Sequence, residues 1–234
     1  MNDNTTDRKT LLITGASSGI GAETARLAVA QGFNVALMAR SADKLDSLVE
    51  ELGSDRALAV SCDVTSFDDQ QAAVAKTVET FGALHAVFAN AGRGGVPGGY
   101  SEGDPDAWRE MIMTNVYGLA LTARASLSAL KEQGGRFIIT SSIAGRRPIS
   151  GSVYGMTKWA ATAIGYNLRG ELADTGVRVT LIEPGMVDTP FFDEPKPDAL
   201  QPGDVAETVL FVLTRPETVV IDELVVTPRS QRGW

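Results

Sequence analysis

The stretch Thr14-Gly15-Ala16-Ser17-Ser18-Gly19-Ile20-Gly21 decides how this chain folds. The apolar run Leu11-Leu12-Ile13 precedes it, and the good helix former Ala22-Glu23-Thr24-Ala25-Arg26-Leu27-Ala28 follows. Strand, glycine turn and helix in that order receive phosphate, because backbone N–H groups and a helix N-terminus converge on one point. Glycine lets a pyrophosphate approach the backbone and tolerates the positive φ that such a turn uses. Three residues separate Gly15 from Gly19, so the spacing departs from the G-x-G-x-x-G pattern. Many glycine turns join strands to helices for steric reasons only. This one gains weight from a second constellation, Ser142, Tyr154 and Lys158.

Outward from the turn, β-branched apolar runs alternate with helical segments. Strands are expected near Leu11–Thr14, Asn34–Ala39, Ala57–Ser61, Ala86–Ala89, Phe137–Thr140, Arg178–Ile182 and Glu223–Val226. Helices are expected over Ile20–Gln31, Ala42–Leu52, Phe67–Phe81, Asp106–Lys131, Val153–Ala173 and Val205–Leu213. Continuous apolar strands are buried on both faces, so the alternation predicts a doubly wound parallel sheet of about seven strands, helices covering each side. Ligands of such sheets bind beyond the carboxyl ends of the strands, where the strand order reverses. Thr14–Gly21, Arg40, Asp63, Asn90–Gly92, Ser142 and Pro184–Thr189 all follow predicted strands directly.

The chain has 234 residues, 44% hydrophobic and 21% charged, which suits one α/β domain over residues 1–234. No apolar run reaches the roughly 18 residues that span a bilayer, and the polar start Met1–Lys9 lacks the apolar core of a signal peptide. One cysteine, Cys62, forms no internal disulfide and fits a reducing cytoplasm. A net charge of −8 argues against nucleic-acid binding. A polyanionic ligand therefore needs local positive charge, which gives individual arginines meaning. His85, the sole histidine, begins an apolar strand with no carboxylate pattern near it, and no metal site is expected.

Tyr154 and Lys158 lie four residues apart, hence on one helix face. A free phenol, pKa about 10, is a poor base near neutrality, and a neighbouring ammonium lowers that value by stabilising phenolate. Such a pair exchanges a proton with a substrate oxygen, although exposed Tyr–Lys pairs are common on helices. Ser142 closes the run Phe137-Ile138-Ile139-Thr140-Ser141-Ser142, where its hydroxyl can stabilise charge on a substrate oxygen or satisfy a turn. Ser141 is a competing assignment.

On these residues the chain resembles the short-chain dehydrogenase/reductase family, in its shorter single-domain Rossmann-fold branch, over essentially its whole length. Thr14–Gly21, Asp63-Val64, Asn90-Ala91-Gly92, Asn115, Ser142, Tyr154 with Lys158, and Pro184-Gly185 carry the resemblance. It implies that Tyr154 is the acid/base, that Lys158 lowers its pKa and bonds the nicotinamide ribose, and that Ser142 orients the substrate oxygen. Asn115 would hold a water in a proton relay toward Lys158, or else merely kink a core helix. Gly15, Ser17, Ser18, Gly19, Ile20 and Gly21 would cradle the cofactor phosphates. Asp63 and Val64 would contact the adenine, Asn90, Ala91 and Gly92 the nucleotide floor, and Pro184, Gly185, Val187 and Thr189 the carboxamide. The segment Arg146–Val153 is one residue shorter than the family pattern suggests.

The second strand ends Met38-Ala39-Arg40, without the carboxylate that would bind both ribose hydroxyls and select NAD. A guanidinium pairs with a 2′-phosphate, so NADP(H) is favoured and NAD is less expected. Arg93–Tyr100 and the short segment Phe191–Pro197 would border the substrate, and a short lid favours a compact polar one. Arg93, Arg146 and Arg147 offer positive charge for a carboxylate, and the resemblance is closest to members acting on small 3-hydroxy acids. The expected activity is NADP(H)-dependent interconversion of alcohol and carbonyl; a silent nucleotide-binding redox sensor is the alternative. Apolar residues on several faces of Asp106–Lys131 and Val153–Ala173, such as Ala120, Leu121, Trp159 and Tyr166, predict a homo-oligomer, tetramer ahead of dimer.

Overall fold

A computed structural model describes residues 8–192 and 194–231. Its strands are β1 (Thr10–Thr14), β2 (Asn34–Ala39), β3 (Ala57–Ser61), β4 (Ala86–Ala89), β5 (Arg136–Thr140), β6 (Arg178–Pro184) and β7 (Glu223–Val226). The helices are α1 (Gly19–Ala30), α2 (Ala42–Leu52), α3 (Phe67–Phe81), α4 (Gly99–Glu102), α5 (Pro105–Ile112), α6 (Leu119–Gln133), α7 (Val153–Leu172) and α8 (Pro202–Leu213). All the strands pair in parallel, in the order β3-β2-β1-β4-β5-β6-β7. This is the doubly wound, Rossmann-like sheet that the sequence predicts.

Successive side chains of a strand point to opposite faces, so an unbroken apolar strand feeds two cores. Leu11 and Ile13 of β1 join Val35, Leu37 and Phe88 under α1, α2 and α8. Leu12 joins Ala36, Met38, Val87 and Phe137 under α3, α6 and α7. The chain leaves β1 for β2 and β3, then returns to β4 on the other side of β1. That reversal opens a crevice at the carboxyl ends of β1 and β4, which is where the predicted site residues gather.

The sequence predicts one helix over Asp106–Lys131, and here the structure differs. After α5 the chain widens into a π-helical segment, Met113–Gly118, before α6 resumes. The widening carries Asn115 inward, where it is 3% exposed. Two packing contacts hold the segment there. Gly118 lies so close to Val64 that an added Cβ would stand 3.0 Å from its Cγ2. Gln70 Nε2 donates to both the Val64 and the Gly118 carbonyls, at 2.6 and 3.1 Å. The structure also contains α4 and a 3-10 turn, Ile143–Gly145, which the sequence pattern did not indicate. α8 starts at Pro202 rather than Val205, because Gln201 and Asp204 form a capping box there. His85 sits just before β4, and its Nδ1 accepts the Thr10 N–H at 3.0 Å.

Candidate active site

The glycine turn is shaped by close approach. Gly15 and Gly19 adopt φ of +68° and +54°, which a side chain disfavours. A Cβ on Gly21 would lie 2.3 Å from the Gly15 carbonyl oxygen, and one on Gly15 would lie 2.9 Å from Ala91 Cα. The helix that follows starts differently from its neighbours. α3, α5 and α7 each have a Ser or Asp side chain capping the first turn, and α8 has its capping box. α1 has neither a side-chain cap nor an acidic residue in its first turn. Its first N–H groups and the positive end of its dipole therefore meet an anion without competition. Ser17 is half-buried and Ser18 exposed beside them. These features fit a dinucleotide pyrophosphate.

Around this cradle stand the other predicted contacts. Arg40 is exposed just beyond β2 and makes no ion pair among the described residues. Asp63 Oδ1 accepts from the Thr65 amide and hydroxyl at 2.9 and 2.8 Å, which fixes the carboxylate in place. Val64 is buried beside it. The loop after β6 folds back over the turn, so that Thr189 Cγ2 would stand 3.1 Å from a Cβ on Gly19. Val187 is buried in the same loop and bridges to Leu200.

The floor is a chain of hydrogen bonds across three strand ends. Thr14 Oγ1 accepts the Asn90 and Ala91 amides, both at 3.0 Å. Thr140 Oγ1 donates to Asn90 Oδ1 at 3.1 Å. Lys158 Nζ donates to the Thr140 carbonyl at 2.8 Å, reaching down from α7 onto the end of β5. Gly92 lies above them, 3.8 Å from Lys158 Nζ when measured from an added Cβ.

Ser142 and Tyr154 complete the group. Ser142 Oγ accepts the Ala144 amide at 3.1 Å and lies 3.3 Å from the Pro184 carbonyl. It also hydrogen-bonds Tyr154, which lowers the phenol pKa. Ser141 points the other way, its Oγ 2.7 Å from Thr162 Oγ1 and 3.2 Å from the Lys158 carbonyl, so Ser142 and not Ser141 lies beside Tyr154. The Lys158 ammonium lies 5.7 Å from the Tyr154 ring centre. Contrary to the expected lowering, burial dominates both groups. It pushes Tyr154 up to about 12 and Lys158 down to about 8.

Asn115 is held by three hydrogen bonds. Its side chain is already committed: Oδ1 accepts the Arg93 amide at 2.8 Å, and Nδ2 donates to the Arg93 carbonyl at 2.8 Å and Thr157 Oγ1 at 3.0 Å. It thus holds the loop after β4. A small pocket between Asn115, Lys158, Thr140 and Thr14 has room for about one water molecule.

The arginines expected near a substrate are partly diverted. Arg146 forms ion pairs with Glu183, fully buried on β6, and with Glu223 on β7. Arg93 pairs with Glu110. Thr140 escaped the sequence reading, and Phe191, though within the segment expected to border the substrate, was not expected to touch Tyr154. Thr140 carries no motif signal, since its part is played by position at a strand end. Phe191 packs edge-on against Tyr154, with ring centres 5.4 Å apart; its only sequence signal is an aromatic pair in a short loop.

A sequence profile of short chain dehydrogenases matches residues 9–199 of the chain. The chain belongs to the short-chain dehydrogenase/reductase family. An uncharacterized oxidoreductase of Staphylococcus aureus is 37% identical over 225 residues, covering 94% of this chain and 97% of that protein. Among solved structures, an alcohol dehydrogenase from Thermococcus sibiricus complexed with 5-hydroxy-NADP superposes with a TM-score of 0.90 at 33% identity, covering 97% of this chain and 100% of that one. Serine dehydrogenase from Escherichia coli gives 0.88 at 33% identity, covering 96% and 100%. The protein is thus an oxidoreductase of this family, acting on CH–OH groups with a nicotinamide cofactor. No helix among the described residues is long and apolar enough to cross a membrane.

Proposed function

We propose that this protein interconverts a small alcohol and its carbonyl compound with NADP(H), using Tyr154 as the acid/base. The observation that carries the reading is the Tyr154 phenol hydrogen-bonded to Ser142, with the Lys158 ammonium buried beside it at the end of β5. When bound, the dinucleotide supplies hydride to the carbonyl carbon, or accepts it from the alcohol carbon.

The chain's own residues do the rest. Ser142 Oγ donates to the substrate oxygen and stabilises the charge that grows there. In reduction, Tyr154 Oη gives its proton to that oxygen; in oxidation it takes the proton back. Burial keeps the phenol protonated near neutrality, as a proton donor must be. Lys158 stabilises the phenolate left behind and would bond the nicotinamide ribose; it passes a proton back to Tyr154 and is itself reprotonated through a water beside Asn115. Gly15, Ser17, Ser18, Gly19, Ile20 and Gly21 hold the pyrophosphate on the α1 N-terminus. Asp63 and Val64 flank the adenine, and Asn90, Ala91 and Gly92 form the floor. Pro184, Gly185, Val187 and Thr189 hold the carboxamide and so fix which face of the ring meets the substrate.

Arg40, exposed and without a carboxylate beside it, supports NADP(H) over NAD. The Thermococcus alcohol dehydrogenase complexed with 5-hydroxy-NADP and a closed form of serine dehydrogenase complexed with NADP+ support the same preference. Arg146 is occupied by Glu183 and Glu223 and Arg93 by Glu110, so the carboxylate of a small hydroxy acid would displace one of those side chains. We also propose that the whole chain forms one nucleotide-binding domain, cytoplasmic and assembled as a homotetramer. The exposed aromatic face of Tyr117, Trp159 and Tyr166, each nearly half exposed, supports that assembly.

The test is a screen of small hydroxy acids, sugars and ketones with each cofactor, followed at the nicotinamide absorbance. Turnover with NADPH or NADP+ is expected for a small polar substrate. Tighter binding of NADH than of NADPH in titration overturns the cofactor assignment.

A further inference from the structure

Above the proposed acid/base, two loops meet through one side chain. Phe191, in the loop after β6, stands between Tyr154 and Gly94. On one side its ring meets Tyr154 edge-on, with centres 5.4 Å apart. On the other it occupies the space over Gly94, where an added Cβ would stand 2.1 Å from its Cζ. No larger residue at 94 is compatible with the ring where it stands. The ring is also braced from behind. Phe192 packs edge-on against it at 5.2 Å, and the Lys196 ammonium lies 5.6 Å from the centre of the Phe192 ring. The turn itself is pinned, since the Phe192 amide donates to the Thr189 carbonyl at 3.1 Å and the Lys196 amide to Asp188 Oδ1 at 2.9 Å.

We infer that Phe191, seated on Gly94, is the wall that limits this enzyme to short, unbranched hydroxy and carbonyl compounds. The inference rests on Tyr154 being the acid/base. An aliphatic group on the carbonyl carbon reaches only as far as the ring, and an aryl or fused-ring group collides with it. Gly94 is the other half of the device, because the missing side chain is what the ring fills. The ring also covers one side of the half-buried Tyr154 ring.

Two variants test this. Phe191→Ala removes the wall; Gly94→Ala keeps the ring but pushes its tip aside, which a flexible side chain accommodates without unfolding. The first readout needs no turnover: nitration of Tyr154 by tetranitromethane, followed by peptide mass spectrometry. Both variants are expected to be nitrated at Tyr154 several-fold faster than wild type. The second readout is kcat/KM with NADPH for aryl ketones relative to butanone. Filling or vacating a few methylenes of apolar pocket shifts selectivity by about tenfold or more, so the ratio is expected to rise by at least that in Phe191→Ala. Unchanged nitration in both variants overturns the wall, as does faster nitration with an unchanged ratio. Absence of any nicotinamide-linked turnover by wild type defeats the proposed function instead, and nitration still decides whether Phe191 covers Tyr154.

Discussion

The floor of the site and its roof are built by different means. The floor is Thr14, Asn90, Thr140 and Lys158, tied end to end by hydrogen bonds from strands buried on both faces. The roof is Phe191, Phe192 and Lys196, held over Gly94 by ring contacts and by the bonds of two main-chain amides, Phe192 to the Thr189 carbonyl and Lys196 to the Asp188 carboxylate. Hydrogen bonds between buried groups are directional and costly to leave unmade, whereas apolar contacts are non-directional and repack readily. The floor therefore holds one geometry, whereas the roof acts through the bulk of its rings and changes with the side chains that build it.

The largest effect is expected on the floor side. Tyr154→Phe should lower kcat by roughly 10²–10⁴, the loss of an acid/base group, while cofactor affinity measured by fluorescence titration barely changes. Substantial turnover by a folded Tyr154→Phe protein would place the proton donor elsewhere. Arg40→Ala comes next. Losing a charge-assisted phosphate contact of ~1.5–3 kcal/mol should raise KM for NADPH roughly ten- to hundredfold and leave KM for NADH nearly unchanged. A parallel loss with both cofactors would show that Arg40 does not meet a 2′-phosphate.

Asn115→Ala probes the tie between floor and roof, because it strips the Arg93 amide and carbonyl of their partners. Leaving these part-buried polar groups unpaired should cost about 1 kcal/mol in denaturant unfolding, the low end for an unmade hydrogen bond. It should also raise KM for substrate more than for cofactor, since the loop it holds borders the substrate. An equal rise in both would make Asn115 a general support.

The smallest effect concerns pH. Burial lowers Lys158 to about 8, so between that value and the ordinary lysine value the unfolded chain binds a proton that the folded one does not. Stability from this group therefore rises with pH across that window. Tyr154, raised to about 12, has the opposite sign above the ordinary phenol value near 10 and reduces stability as pH climbs further. The stability of wild type relative to Lys158→Met should thus increase on going from neutral to moderately alkaline pH. A flat difference would mean that the ammonium is as well solvated folded as unfolded.

Floor and roof also differ in how far sequence discloses them. The strands, the glycine turn and the Tyr154–Lys158 helix face were legible because each obeys a local rule: a periodicity, a missing side chain or a fixed spacing. Thr140 and Thr157 were not, because their roles come from where the topology sets them, beside Lys158 and Asn115. The part that burial plays in the Tyr154 pKa was hidden for a similar reason. Charge proximity is readable from spacing, but burial is a property of the assembled site. Arg146 looked like a substrate ligand until Glu183, thirty-seven residues on, was found to claim it. Phe191 was legible as part of a lid, yet nothing local shows that its ring fills the place of the side chain Gly94 lacks.

The π-helical segment Met113–Gly118 has a consequence for how this site tolerates change. Each residue of an α-helix advances the winding by about 100°, so one extra residue in a widened turn puts the helices on either side out of phase. α5 and α6 keep their own packing only because the surplus is absorbed between them. A one-residue deletion there would yield a smoother, better-wound helix and turn Asn115 away from Arg93. The most regular version of this segment is therefore the one that releases the loop, and the site depends on a winding fault that helix propensity alone would repair.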